Sequence, residues 1–291
     1  LVFCASVLAS HAKMGSVPVD HLPVGHLPPL ISWLAMLLFC SCVMFLLWLR
    51  QLRTSNATSV DAAFAALTGF MGVAFAMLGE GAPLQRWLAG LIAGFWGGRL
   101  TYHLLRDRVL GHRAEDGRYK AMRDHFGARA NWCFLVFYQL QAVTAGVFAL
   151  PFLLIAQHKS TALLPLQWLG LSLTVFGFCL ETLADTQLAS HRKDPAQRGR
   201  TCRVGLWRFS RHPNYFGEWL LWCGIGLLGM SAPYGGFALI APVLMFLLIR
   251  FVSGVPFAEQ QSLRSRGDDY RSYMKTTNTF FPWLPHGEGR R

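Results

Sequence analysis

The sequence predicts an all-α fold, a polytopic bundle of about seven transmembrane helices, and three observations carry that expectation. Hydrophobic residues make up 53% of the chain and charged residues only 14%, with a mean hydropathy of +0.34, which is the composition of a membrane protein rather than of a water-soluble domain. Apolar runs approach the roughly 20 residues a helix needs to cross a bilayer at 30–49, 60–78, 87–105, 132–156, 163–184, 216–230 and 237–252. Threaded through seven spans, all but four of the 27 Lys and Arg residues fall on one side; Lys13, Arg86 and Lys159 fall on the other, and Arg99 lies inside the third span. That sidedness is a positive-inside pattern and places the C-terminus in the cytoplasm.

The same sidedness decides what the net charge of +12 means. In a soluble chain it would raise nucleic acid as a partner; here it borders a bilayer, so the expected partners are the membrane and a lipid, with no nucleic acid. The expected location is integral and multi-pass, in a bacterial inner membrane or the endoplasmic reticulum. Oligomeric state is encoded in no motif found. Seven cysteines, mostly within apolar runs and without a Cys-x-x-Cys pair, read as small core residues and support neither a disulfide framework nor a zinc site.

Residues 1–29 read as a non-cytoplasmic lead-in ahead of a single domain over 30–291. Met14 is a plausible start, and His11, His21 and His26 are spaced too irregularly among prolines to suggest a metal. The first span carries no charge and reads as a packing helix. Asp61 opens the second, where a helix N-terminus favours a carboxylate; a cap and a site role both account for it. In the third span Gly90, Gly94 and Gly98 recur every fourth residue, a smooth face for close helix approach. Arg99 sits about a turn inside the boundary, where an arginine either snorkels to the surface or serves a site. Tyr102 and His103 follow at the interface, where an aromatic belt already accounts for the tyrosine.

The connection 106–131 contains Glu115-Asp116-Gly117-Arg118-Tyr119, with Arg123 four residues on, a mixture that a solvated amphipathic helix and a site motif both account for. Glu181 and Asp185 close the fifth span at i and i+4 and would repel if both were charged and unpaired, so at least one needs a basic or hydrogen-bonding partner. The basic run from Arg192 to Arg203, with Gly199 and Gly205, suits phosphate as well as it suits a positive-inside loop. Gly224, Gly226 and Gly229 spell a dinucleotide-binding pattern, but no strand precedes them, so they read as helix packing. The tail, 259–283, reads as an amphipathic helix on the cytoplasmic surface.

The densest chemistry is the run Ser210-Arg211-His212-Pro213-Asn214-Tyr215-Phe216-Gly217-Glu218. Two fixed positive charges at Arg208 and Arg211 and one titratable ring at His212 stand just before a proline suited to start a helix, an arrangement that fits an anion. Asn214 and Glu218 share a helix face. A carboxylate just inside an apolar helix needs a partner, and Arg211 is the nearest in sequence. This nine-residue run resembles the signature of the steroid 5-alpha-reductase-like integral membrane family, in its DUF1295 branch, and the resemblance extends over about 30–285. It implies NADPH-dependent reduction of an activated carbon–carbon double bond in a lipid. It also implies a cofactor site made of Arg99, Asp185, Arg192, Asn214 and Glu218, with Arg211, His212, Tyr215 and Tyr273 added; Tyr102, Tyr215 and Glu218 are the candidate catalytic groups, and no metal is implied. The chain departs from the steroid reductases at Trp96, near the position of their tyrosine. The shorter Arg-His-Pro-x-Tyr core is shared with isoprenylcysteine and phospholipid methyltransferases, which keeps an S-adenosylmethionine-dependent methyltransferase as the alternative. A non-catalytic lipid-binding protein is a second alternative.

Overall fold

A computed structural model describes residues 28–110 and 114–285, and these are helical without strands. The lead-in and its three histidines lie outside the described residues. In chain order the helices are α1 (Pro29–Thr54), α2 (Val60–Leu78), α3 (Pro83–Leu104), α4 (Gly117–Phe126), α5 (Ala130–Gln157), α6 (Pro165–Lys193), α7 (Pro213–Met230), α8 (Ile240–Leu247) and α9 (Val255–Thr276). π-turns over Leu105–Val109 and Leu248–Val252 extend α3 and α8. Proline stands in the first turn of α1, α3, α6, α7 and α9, where its missing N–H costs no hydrogen bond and its fixed φ suits the helix.

All seven expected segments are helical, and among the described residues five stretches are long and apolar enough to cross a membrane: Pro29–Thr54, Val60–Leu78, Gly117–Gln157, Pro165–Lys193 and Gly235–Thr276. The third and sixth expected spans, α3 and α7, carry Gln85, Arg86 and Arg99 or Asn214 and Glu218 and are not among these five. α3 packs on α2 and α7 on α6, with α5 touching α1, α2, α3 and α7; the outer face of α3, with Trp87, Leu91 and Phe95, is exposed. The core gathers around Trp222, fully buried, whose ring meets Phe148 at 4.7 Å and Trp96 at 5.0 Å between centroids. Polar groups buried at the far end are paired as burial demands: Gln85 and Gln167 exchange amide hydrogen bonds of 2.8 and 3.2 Å.

Two seams set the helix spacing. Along α6–α7, a methyl on Gly217 would stand 2.7 Å from the Glu181 backbone nitrogen, and one on Gly177 2.5 Å from that of Leu221. Gly170 and Gly224 continue the same seam, each about two turns away. The α2–α3 seam corrects a sequence expectation: its closest point is Gly97 on Gly69, where a methyl on Gly97 would stand 2.6 Å from the Gly69 Cα, whereas Gly98 has nothing within 4 Å. Only part of the Gly90, Gly94, Gly98 row faces a neighbour, since the face turned to α2 also includes Ala93 and Gly97. The glycine pattern in α7 is packing: Gly224 meets α6, Gly226 meets Pro242, and Gly229 meets Ala238 and Pro151.

Gly217→Ala is therefore expected to destabilise the bundle by about 1–3 kcal/mol, because backbone on both sides cannot yield to an added methyl, while Gly98→Ala is neutral or slightly stabilising. Thermal unfolding of the two variants in detergent checks this; equal melting temperatures would show that the α6–α7 seam tolerates a wider gap.

Candidate functional site

Where α6 meets α7, the closeness of the seam brings two polar pairs together. Asn214 Nδ2 donates to Asp185 Oδ1 at 3.0 Å. One turn deeper, Glu218 faces Glu181, close enough for the two carboxylates to act on each other electrostatically. α3 supplies the counter-charge: Arg99 Nη2 lies 2.6 Å from Glu181 Oε2, with both side chains largely buried, and its guanidinium stands 5.0 Å over the Phe178 ring. Arg99, Glu181, Asp185, Asn214 and Glu218 thus form one ladder across three helices, as the i and i+4 spacings of both α6 and α7 require. The partner expected for Glu218 is corrected. Its Oε1 accepts from the indole N–H groups of Trp96 at 2.9 Å and Trp222 at 3.0 Å, and Arg211 is engaged elsewhere.

Arg211 is buried and donates in four directions: to Glu259 Oε1 at 2.7 Å, to the carbonyls of Met274 at 2.9 Å and Thr277 at 3.0 Å, and to Thr279 Oγ1 at 2.7 Å. Two of these acceptors belong to the end of α9 and its cap, where carbonyls lack helical partners. The backbone adds Arg211 N to Asn278 O at 2.8 Å and Trp283 N to Phe209 O at 2.9 Å. Arg211 is thereby a tie that fastens the C-terminal segment beneath the Ser210–His212 turn. His212 lies 3.5 Å from Glu259; burial holds its imidazole below the usual histidine range, an effect that Glu259 partly offsets. The Tyr273 hydroxyl, expected to serve a cofactor, donates to the Trp207 carbonyl and lies 3.1 Å from that of Ser210.

These elements enclose a cavity of about 630 Å³ between the end of α6, the loop 194–212, the start of α7 and one face of α9. Among the described residues six arginines line it, Arg108, Arg192, Arg198, Arg200, Arg211 and Arg266, and no Asp or Glu does. Its floor carries Asn214 and Tyr215, the latter stacked on His212 with ring centroids 5.4 Å apart and 8° between planes. The loop is shaped by Gly205, whose φ of +57° favours glycine and lets Leu206 N reach Gln187 Oε1 at 2.9 Å. Asp269 accepts from Thr201 N and from Arg203 behind the wall. Of the residues predicted for the site, Arg192, Arg211, His212, Asn214, Tyr215 and Tyr273 line the cavity, and Asp185, Arg99 and Glu218 adjoin it through the ladder. Tyr102 is not brought in: it is 59% exposed beneath the Arg106 guanidinium and is absent from the lining.

Sequence reading missed a second polar cluster. The Glu115–Tyr119 run, expected as a solvated helix, folds back on the α1–α2 connection. Arg118 Nη2 and Arg108 Nη1 lie 2.6 and 3.0 Å from Asp61 Oδ2, and the Tyr119 hydroxyl donates to Asp61 Oδ1. Glu115 accepts from Ala57 N and from Arg123, which also reaches Gln51. Asp61 is thus more than a helix cap, and its i and i+4 neighbours gave no sign of partners some 50 residues away.

A family model described as a protein of unknown function, DUF1295, matches residues 47–277. The chain belongs to the DUF1295 family. The match contains every residue of the ladder and of the cavity lining. This DUF1295 protein is also similar to the uncharacterized protein C594.04c of Schizosaccharomyces pombe, at 25% identity over 265 residues, covering 82% of this chain and 76% of the relative. No solved structure matches it.

Arg211→Ala is expected to lower stability by about 3 kcal/mol, since it strands Glu259 and two carbonyls in a mostly buried setting, and to expose residues 277–285 to protease. Arg211→Lys recovers little, because an ammonium cannot serve four acceptors in a plane. Limited proteolysis with thermal unfolding reads both; a wild-type digestion pattern in the Ala variant would show that the tie is dispensable.

Proposed function

We propose that this DUF1295 protein is a membrane-embedded reductase that uses NADPH to saturate an activated carbon–carbon double bond in a lipid of steroid, enoyl or isoprenoid type. The observation that carries the reading is the cavity's lining of six arginines and no carboxylate, joined through Asn214 to the buried ladder. Its volume lies within the range of small-molecule sites, about 300–1,000 Å³. A phosphorylated dinucleotide is a polyanion, and planar guanidinium groups bind phosphate oxygens in pairs. S-adenosylmethionine carries a sulfonium cation and no phosphate, so the same lining disfavours it.

The residues present fit the group. Among the described residues Arg192, Arg198, Arg200 and Arg266 form no ion pair with a carboxylate and would hold the phosphates. Asp185 fixes the Asn214 amide by taking its N–H, and the buried Asn214 Oδ1 has no hydrogen-bond partner; it is an acceptor suited to a carboxamide N–H. NADPH would supply the hydride. The protein's part is orientation and charge: Asn214 orients the ring, with Glu218 held in place by two indoles, and the Tyr215 hydroxyl on the cavity floor polarises the conjugated carbonyl as the proton-donating group. Trp96 cannot take that role, because its N–H already serves Glu218 and an indole is no acid in this range. The basic sidedness orients the cavity and the C-terminus to the cytoplasm, where such a cofactor is available.

Wild-type protein in lipid nanodiscs is expected to bind NADPH and not S-adenosylmethionine, and Asn214→Ala to keep its fold while losing on the order of 100-fold in reduction of an enone lipid, the cost of misplacing reacting atoms by about 1 Å. Binding titrations and NADPH oxidation, run beside a methyl-transfer assay, decide it; methyl transfer without NADPH binding would replace this reading by the methyltransferase. On a background without native cysteines, Lys159→Cys is expected to react only with reagent on the outer side and Arg198→Cys only with reagent on the cytoplasmic side. Labelling of both from one side would overturn the orientation.

A further inference from the structure

Arg108 differs from every other cavity-lining residue in origin. The rest of the lining comes from residue 188 onward, whereas Arg108 stands on the π-turn that ends α3, an element that often marks a functional site. It belongs at the same time to the acidic cluster at the start of α2, where the two arginines are held unequally. Arg118 is clasped by Asp61 at 2.6 Å and by both oxygens of Asp116 at 3.0 and 3.1 Å. Among the described residues Arg108 has one hydrogen bond, to Asp61 Oδ2 at 3.0 Å, and a looser approach of 4.0 Å to Asp116. Its side chain is 42% exposed, against 28% for Arg118. Both guanidinium groups act electrostatically on Tyr215 of the cavity floor, so the acidic cluster and the cavity are neighbours with Arg108 between them.

We propose that Arg108 is an anion-binding residue shared between the two, drawn from Asp61 to a phosphate group of the ligand when the cavity is filled, so that Asp61 and the ligand compete for one guanidinium. Three features support the exchange. The Asp61 carboxylate keeps Arg118 and Tyr119 when Arg108 turns away. A long, half-exposed arginine side chain can reorient without moving backbone. The other side of the cavity is already cationic, so an anion entering it meets arginines from α6, from the loop, from α9 and, through Arg108, from α3. Filling the cavity would then tie α3 and the α1–α2 connection to the C-terminal half, which the tie at Arg211 does not reach. The inference rests on the cavity's being an anion site and does not depend on which phosphorylated ligand fills it.

The sign of one substitution separates this from a structural role. If Asp61 competes for Arg108, Asp61→Asn should tighten anion binding several-fold, although it removes ion pairs from the protein. Arg108→Ala should weaken binding on the order of tenfold, the loss of one charge-assisted contact, and Asp61→Asn added to Arg108→Ala should restore nothing. The full-length chain in nanodiscs is titrated with two probes, inorganic pyrophosphate and NADPH, with thermal unfolding recorded for each variant. Weakened pyrophosphate binding in Arg108→Ala at an unchanged melting temperature supports the inference, whether or not NADPH binds; absence of NADPH binding alone overturns only the reductase reading. Wild-type affinity in Arg108→Ala overturns the inference, as does a gain from Asp61→Asn that survives without Arg108, which would be a field effect of the removed charge. Should Asp61→Asn unfold, the Arg108→Ala titration decides alone.

Discussion

The α6–α7 backbone contact is the constraint on which the rest of the site depends. Four glycines, Gly170 and Gly177 on α6 and Gly217 and Gly224 on α7, bring the two helices so close that a single added methyl at any of them would overlap the facing chain. At that spacing the short side chain of Asn214 reaches Asp185, and Glu218 stands opposite Glu181. Two carboxylates held together inside apolar helices would each cost a few kcal/mol unpaired, so the seam also dictates what α3 must provide: Arg99 for one and the Trp96 indole for the other. α3 and α7 thus carry polar groups that satisfy one another on the faces they turn to their neighbours, while the outer face of α3, with Trp87, Leu91 and Phe95, stays apolar and exposed.

A similar division orders the cationic cavity. Six arginines facing one space repel, and two of them are held from behind by acids outside the lining: Glu259 holds Arg211, Asp61 and Asp116 hold Arg108, and Asp269 steadies the wall through Arg203 and Thr201. None of those carboxylates faces the cavity, so the inward side stays positive while the outward side is neutralised. Arg192, Arg198, Arg200 and Arg266, which have no such backing among the described residues, are left as the groups most exposed to whatever anion enters.

Much of this was legible in the sequence, for physical reasons that also explain what was not. The apolar runs mark the spans because bilayer thickness sets helix length, and the i and i+4 spacings of Glu181 with Asp185 and Asn214 with Glu218 place each pair on one face. What no local pattern carries is the partner across the seam. Sequence proximity suggested Arg211 for Glu218, whereas the fold turns Arg211 away, because it stands before the helix start and finds the unsatisfied carbonyls that end α9. The same limit hid Asp61 from Arg108 and Arg118, and made a clamp over Glu115–Tyr119 look like a solvated helix. The glycine row in α3 was seen, and Gly90 and Gly94 do face α2; what the fourfold repeat did not show is that Gly98 turns away, while Ala93 and Gly97, one position off, lie nearer α2.

Asn214 is where the two parts of the site meet, since it lines the cavity and belongs to the ladder. Its amide cannot be reversed without cost, because Asp185 accepts from the N–H side and would repel the carbonyl. The Asn214 carbonyl is thereby fixed as the acceptor, without any contact from the ligand. Glu218 is fixed likewise one turn deeper, by two indole N–H groups that admit only an accepting oxygen at Oε1. From the cavity inward the groups thus follow in order: guanidinium charges, an amide with one set direction and a carboxylate with one set direction. Their directions are set by the fold before any ligand is present, which lowers the ordering cost of binding. Trp96 fits the same logic: the indole there is a rigid donor for Glu218, while the tyrosine that lines the cavity beside Asn214 is Tyr215, stacked on His212.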